Sequence, residues 1–297
     1  MIKVETVDNY GAIFKNIREK RGLSLTQVAR GIISPATLSI WENGKGEMYF
    51  GNVVSLLQRL NIYLDEFISI AQYSRKDNAA IRALLEQVQK AYSEDNAVRL
   101  EELAQRQIRC YQSSNKELDF FLAMTICSCY EDITGKNILS DKERTRLDHI
   151  FQHVNVWNKY YIRAFGNCIT LLNSSEIFKI SVQILNGLKE IPQDNLTQIS
   201  ESVKAVLNAV IILLQRDAKI AAALLEKTSS FKIPVDLLYL KMQILFLQEV
   251  VAYLQNDSRP VTTMEKLTDI LCLLGYNDEA NKWCQIFKNS IQKGHEQ

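Results

Sequence analysis

The sequence predicts an all-α protein in which a small five-helix domain precedes a solenoid of stacked helix pairs. Three observations carry that expectation. Only 11 Gly and 4 Pro occur in 297 residues, far too few for the tight turns that sheets require. Leu, Ala, Gln, Glu and Lys, the good helix formers, are abundant. Apolar residues recur at helical spacing almost throughout, and at 47% of the chain they suffice for a large core.

The first domain is expected over residues 8–70. Ile13, Phe14 and Ile17 share one helical face, with Lys15, Arg18, Glu19 and Lys20 on the other, and Gly22 stops that helix. Ser24-Leu25-Thr26-Gln27 reads as a capping box, in which the Ser hydroxyl accepts from the N3 amide while Gln27 reaches back. A short second helix thus starts near Leu25, turns Val28 and Ala29 inward and ends around Gly31. Ser34-Pro35 opens a third, with Ser at the N-cap and Pro where a missing N–H costs nothing. Leu38 and Trp41, three apart, anchor its inner face, and Asn43-Gly44 ends it. Val53, Val54, Leu57, Leu60, Ile62, Leu64 and Phe67 supply two more short helices. A tight break between the second and third helices is the helix-turn-helix arrangement, whose third helix enters the major groove of DNA.

The net charge of the whole chain, +1, is uninformative. From Lys15 to Lys45, however, six basic residues face two acidic ones, a local excess of +4 on the helix-turn-helix segment.

These residues resemble the phage-repressor-like (Cro/C1 or XRE-type) family. The resemblance rests on IREKRGLSLTQVA, SPATLSIWENGKG and LLQRLNIYLDEF, with ENGK after a buried aromatic the most specific element. It implies that Arg18 pairs with Glu42 and locks the first helix to the third while leaving guanidinium donors near a phosphate. It also brings Ser24, Leu25, Thr26, Ser34 and Asn43 toward phosphates, where unpaired helix-terminal amides suit an anion, with Lys45 as a further contact. Base reading falls to Pro35, Ala36, Thr37 and Ile40. Relatives often carry Gln, Arg or Lys there, so bidentate recognition of guanine is lacking. Contact with thymine methyls, one hydroxyl and shape readout remain, and an A·T-leaning site follows.

After a linker at 71–77, residues 78–293 form one helical segment after another, broken at Ser113-Ser114-Asn115, Asn173-Ser174-Ser175 and Pro192-Gln193-Asp194-Asn195. Ten or more helices joined by short turns suggest an α-solenoid of tetratricopeptide-like pairs. FGNCITLL around Asn167 and VLNAVIILL around Asn208 align at an offset of 41 residues, near the period of a two-helix repeat.

Taken over its whole length, the chain resembles the Rgg/GadR/MutR regulators of Gram-positive bacteria, through SPATLSIWENG, NIYLDEF and YYIRAFGN. That resemblance implies a homodimeric transcription regulator of double-stranded DNA, controlled by a short hydrophobic signalling peptide bound in the helical-repeat domain. Polar residues within apolar helices are the candidates for lining its concave face: Tyr160, Arg163, Asn167 and Asn208, with Tyr239 and Gln243 behind them. An Asn amide both donates and accepts, so it can hold the backbone of an extended peptide. Two other readings stay open: the asparagines bond neighbouring helix ends, or the helical domain only dimerises or binds a partner protein.

No catalytic residue, metal site or cofactor is expected. GxxxxGK[ST], GxGxxG, GxSxG, HExxH and CxxC are absent. His149 and His153 share a helix face without further ligands beside them. Cys110, Cys127, Cys129, Cys168, Cys272 and Cys284 read as buried free thiols in a reducing compartment. MIKVETVDNYG has no apolar h-region, and no run of eighteen uncharged apolar residues follows. The expected location is the cytoplasm, away from the membrane.

Overall fold

The computed structural model describes residues 10–73, 76–255 and 262–294, and among them there is no strand. Five helices come first: α1 (Tyr10–Lys20), α2 (Leu25–Ala29), α3 (Pro35–Glu42), α4 (Phe50–Arg59) and α5 (Leu64–Tyr73). The next are α6 (Lys76–Ser93), α7 (Ala97–Ser114), α8 (Glu117–Thr134), α9 (Asp141–Gln152) and α10 (Lys159–Cys168). A 3₁₀ turn at Ile169–Leu171 leads to α11 (Ser174–Leu188), α12 (Leu196–Arg216) and α13 (Ala218–Ser229). A second, at Val235–Leu237, precedes α14 (Leu238–Leu254), which is followed by α15 (Thr262–Leu273) and α16 (Asn277–Gly294). Of the linker read at 71–77, residues 74 and 75 lie outside the described residues, while its ends belong to α5 and α6. By packing, the chain divides between Gln89 and Lys90, inside α6.

The first unit closes around Phe14, Val28, Leu38, Trp41, Leu56 and Phe67, all buried, each contributing about 1.5–3 kcal/mol by leaving water. Its helix ends form where short-range chemistry puts them. Ser24 Oγ accepts from Gln27 N at 3.2 Å and Gln27 Oε1 accepts from Ser24 N at 2.8 Å. Gly22, Gly31 and Gly44 each take a positive φ just past a helix, a conformation only glycine adopts without strain. Gly11 has a different role. A Cβ there would stand 1.9 Å from the Trp41 carbonyl oxygen, so α1 crosses α3 at backbone distance because residue 11 has no side chain.

In the second unit, α8, α10 and α12 run parallel. Tyr161 donates to Glu117 near the starts of α10 and α8, and Ser128 meets Thr170 at 2.7 Å toward their ends. Arg163 pairs with Glu201 near the starts of α10 and α12, and Arg216 donates to the Thr170 and Leu172 carbonyls at the far end. Connecting helices on the other layer make this a stack of pairs. Caps explain the boundaries: Asn96, Asn158, Asn173, Asn195 and Asp217 each accept from an amide of the helix they open. Residues 160–173, which look like one helix, instead tighten into 3₁₀ geometry after Cys168, and this brings Thr170 beside Ser128.

Two stretches are long and apolar enough to cross a membrane by length and composition, α12 and Val235–Leu254. Ile199, Val203, Val206, Leu207, Val210 and Leu213 of α12 are all buried within the protein, so its apolarity is that of a central core helix.

Candidate nucleic-acid interface and groove

Helix α3 has one locked side and one open side. Leu38 and Trp41 are buried, with the Trp41 ring 5.3 Å from that of Phe14. Pro35, Ala36, Thr37 and Ile40 are all exposed on the opposite flank. Ser34 Oγ accepts from Thr37 N at 3.0 Å and contacts Thr37 Oγ1 at 2.8 Å. The cap therefore holds the Thr37 hydroxyl in one place while its methyl stays open. Ile40 is 49% exposed, which leaves a large apolar group open on this flank.

Beneath this flank lies a buried ion pair. Arg18 Nε donates to Glu42 Oε1 and Arg18 Nη2 to Glu42 Oε2, each at 2.7 Å, while Arg18 Nη1 donates to the Leu23 carbonyl at 2.8 Å. The bond from Glu42 raises the Arg18 pKa. With Nη2 also 3.4 Å from Glu19 Oε1, four of its five N–H groups are bonded and its side chain is 8% exposed, which leaves one Nη1 N–H for a phosphate. It fixes α1 against α3, as the resemblance implied.

The remaining phosphate candidates divide similarly. Lys45, Ser24 and Thr26 are exposed, and Leu25 is half-buried, so the last can offer only its backbone amide. Ser24 Oγ accepts from Gln27 N and keeps its O–H to donate, while α2 has five residues, too few for a strong terminal dipole. Asn43 Nδ2 donates to the Ser39 carbonyl at 2.7 Å and Asn43 Oδ1 accepts from Lys15 Nζ at 3.2 Å. This brings Lys15 to the edge of the α3 flank, a cation the spacing argument counted but did not assign.

In the second unit the inward sides of α8, α10, α12 and α16 enclose a cavity of about 520 Å³. Asn167 and Asn208 both line it, across from Thr125, Ser128 and Thr170, over an apolar wall of Ile211 and Ile212. Both asparagines are exposed, and among the described residues neither side chain is bonded to a helix end. Asn167 follows Gly166, where an added Cβ would stand 3.6 Å from Ala205 Cβ of α12, an ordinary contact distance. The alignment at a 41-residue offset thus reflects two parallel helices at nearly the same level of one groove.

The cavity does not gather the other four candidates. Tyr160 packs edge-on against Phe121 and Tyr161, with centroids at 5.7 and 5.1 Å, and burial pushes its phenol up. Arg163 lies a turn before Asn167 but is held by Glu201, Nε to Oε2 at 3.0 Å and Nη2 to Oε1 at 2.8 Å. That pair, Arg163 first, holds Glu201 below the ordinary carboxylate range. Tyr239 donates to Glu279 at 2.5 Å and leans on Trp283. Gln243 lies on the same helix as Tyr239, outside the cavity lining. Tyr92, Asp132, Gln215 and Asn289, which do line it, sit on segments without a readable repeat, so periodicity gave no signal for them.

His149 and His153 stack, ring centroids 4.2 Å apart, and His153 Nδ1 lies 2.7 Å from the His149 carbonyl. That is the packing of an exposed helix end.

Comparison with known proteins places the fold. Residues 14–67 match a helix-turn-helix family model, and residues 77–285 match the model of the HTH-type transcriptional regulator Rgg, C-terminal domain. The chain belongs to the Rgg family of helix-turn-helix transcriptional regulators. Its fold is that of solved Rgg-like structures. The SHP pheromone receptor Rgg2 of Streptococcus dysgalactiae is 21% identical with a TM-score of 0.70, over 94% of this chain and 98% of that one. A transcriptional regulator of Listeria monocytogenes EGD-e is 16% identical, TM-score 0.72, over 97% and 98%. The PrgX/cCF10 complex gives 15%, 0.67, 96% and 93%. As a member of the Rgg family, the protein is a DNA-binding transcriptional regulator.

Proposed function

We propose that this Rgg-family protein works in the cytoplasm as a homodimer that reads DNA with the exposed flank of α3 and is controlled by a short peptide lying in the groove of its second unit. The observation that carries the peptide reading is the pair Asn167 and Asn208. Two amides at one level of parallel helices open into a single cavity of about 520 Å³, with no hydrogen-bond partner among the described residues. An extended peptide has a donor and an acceptor at each residue, and paired asparagines match both. The names of the relatives support it, since Rgg2 is an SHP pheromone receptor and PrgX was solved with cCF10. A larger cavity, about 610 Å³ between the Val154–Trp157 loop and α11, suits a ligand less. There Asn186 and Gln198 are already bonded to Lys189 and Asn195.

Base contact is assigned to Pro35, Ala36, Thr37 and Ile40, and phosphate contact to Lys45, Lys15 and the Leu25 and Thr26 amides. Two copies would set two α3 helices into major grooves one helical turn apart, or a multiple of it. A peptide changes this only if it binds the competent and incompetent arrangements with different affinity. The reading assigns no catalytic step to any residue.

The test uses fluorescent operator DNA and the purified chain. Lys45→Ala should weaken binding to all duplexes and lower the salt slope by about one. Ile40→Ala should cost affinity mainly on A·T-rich sites. A cognate peptide should shift operator affinity in the parent chain, and Asn167→Ala with Asn208→Ala should abolish that shift while leaving basal DNA binding intact. An unchanged shift in the double variant refutes the groove, and a guanine-rich consensus refutes the base assignment.

A further inference from the structure

The groove has a polarity that its asparagines do not explain. Among the residues lining it, Asp132 is the one acidic or basic side chain. It is exposed near the end of α8, one turn beyond the level of Ser128 and Thr170. Tyr92, forty residues earlier in the chain, donates to Asp132 Oδ2 at 2.5 Å. Burial, and then Asp132 itself, pushes the Tyr92 phenol up, so the hydroxyl stays a donor and holds the carboxylate in place. Among the described residues no Lys or Arg pairs with Asp132, and Oδ1 has no partner.

Beyond the groove's lining, toward the starts of α10 and α12, the cations Arg163, Lys159 and Lys204 outnumber the carboxylates Glu201 and Glu117. Arg163 is bonded to Glu201 there, and Lys159 and Lys204 stand close enough to favour the ionised form of Glu201. With α8, α10 and α12 parallel, Arg163 and Asp132 are separated along the helix axes by about 15 Å, at roughly 1.5 Å per residue. An extended chain covers that distance in about five residues.

We propose that Asp132, positioned by Tyr92, receives a primary ammonium group of the bound peptide and so fixes the direction in which the peptide lies. The ammonium is that of the peptide's amino terminus or of a lysine. Its N–H groups match the open Oδ1, while the peptide backbone runs past Asn208 and Asn167 toward the basic end. A charge-assisted bond of this kind is stronger than the neutral amide contacts beside it, so it sets orientation where those contacts are indifferent to it. The inference rests on the groove being a peptide site.

The full-length chain is immobilised and offered three pools of heptapeptides randomised over Leu, Ile, Val, Phe, Gly and Ser. One pool has free amino termini, one is acetylated, and one is acetylated with a single Lys; retained peptides are counted by mass spectrometry. The expected result is retention of the free or the Lys-bearing pool about tenfold above the acetylated pool, which also identifies the source of the ammonium. Asp132→Asn, which keeps the Tyr92 bond and the side-chain shape, should erase that preference without lowering retention of the acetylated pool. Tyr92→Phe should weaken it. Equal retention of all three pools by the parent chain overturns the ammonium anchor and leaves the peptide site standing. Retention of none overturns both. A preference that survives Asp132→Asn overturns the assignment to Asp132.

Discussion

Replacing Glu42 by Ala should nearly unfold the first unit, although position 42 is far from any exposed face. The Arg18 and Glu42 side chains are 8% and 2% exposed, and their two bonds are both 2.7 Å. Removing one partner leaves a guanidinium without its counter-ion in a site that water does not reach. Such a break costs about 3–5 kcal/mol, a large part of the roughly 5–15 kcal/mol that holds a domain folded. Hydrogen exchange in the full chain reads this locally. Amides of α1 and α3 should lose about two to nearly four orders of magnitude of protection, at 1.36 kcal/mol per tenfold, while α8 and α12 are unaffected. Arg18→Ala should cost about as much, and the two changes together should cost much less than their sum. Arg18→Lys keeps the charge but loses the fork and should not rescue. Replacing both partners, Arg18→Met with Glu42→Leu, should come close to the parent. A loss of protection under tenfold in Glu42→Ala, or additive single changes, would refute the claim that this pair locks α1 to α3.

Gly11→Ala tests backbone contact against helix propensity, since the two predict opposite signs. On an open helix it would gain up to about 1 kcal/mol, but a Cβ 1.9 Å from the Trp41 oxygen should instead destabilise by about 1–3 kcal/mol, read as a lower midpoint in thermal unfolding. Cysteine reactivity should split by burial. Against the expectation that all six are buried, Cys110, Cys272 and Cys284 lie on outward helix faces, are exposed, and should react with a disulfide reagent at pH 8. Burial pushes Cys127 to about 12 and raises Cys168 as well, so both should be modified only after denaturation, and fast native labelling of either contradicts this packing. Glu201 is held low, first by Arg163, so its contribution is present above the unfolded carboxylate value of about 4.3 and is lost as pH falls through the lower folded value. Arg163→Ala should therefore flatten the acid limb of the stability curve, and an acid midpoint unmoved by that change argues against the pair.

The sequence by itself determined many helix ends, although not the end of α10 or the helical ends of the 71–77 linker. Ser24 with Gln27, Ser34 with Pro35, Asn173 with Glu176 and the glycines after α1, α2 and α3 act across three or four residues, and local bonds of that kind need no tertiary context. Periodicity likewise separated Leu38 and Trp41 from Pro35, Ala36, Thr37 and Ile40, because a helix with a buried stripe must expose its other side. Tertiary structure decided everything that depends on the register between elements distant in the chain. It consumed four of Arg18's five donors, pressed α1 on Trp41 at Gly11, and turned Tyr160 and Tyr239 toward Phe121 and Trp283 rather than into the groove. It also joined Tyr92 to Asp132 across forty residues. A polar residue in an apolar helix has one chemistry in the sequence. Which side of the helix faces a cavity is fixed only when neighbouring helices pack and their side chains choose a level at which to interlock.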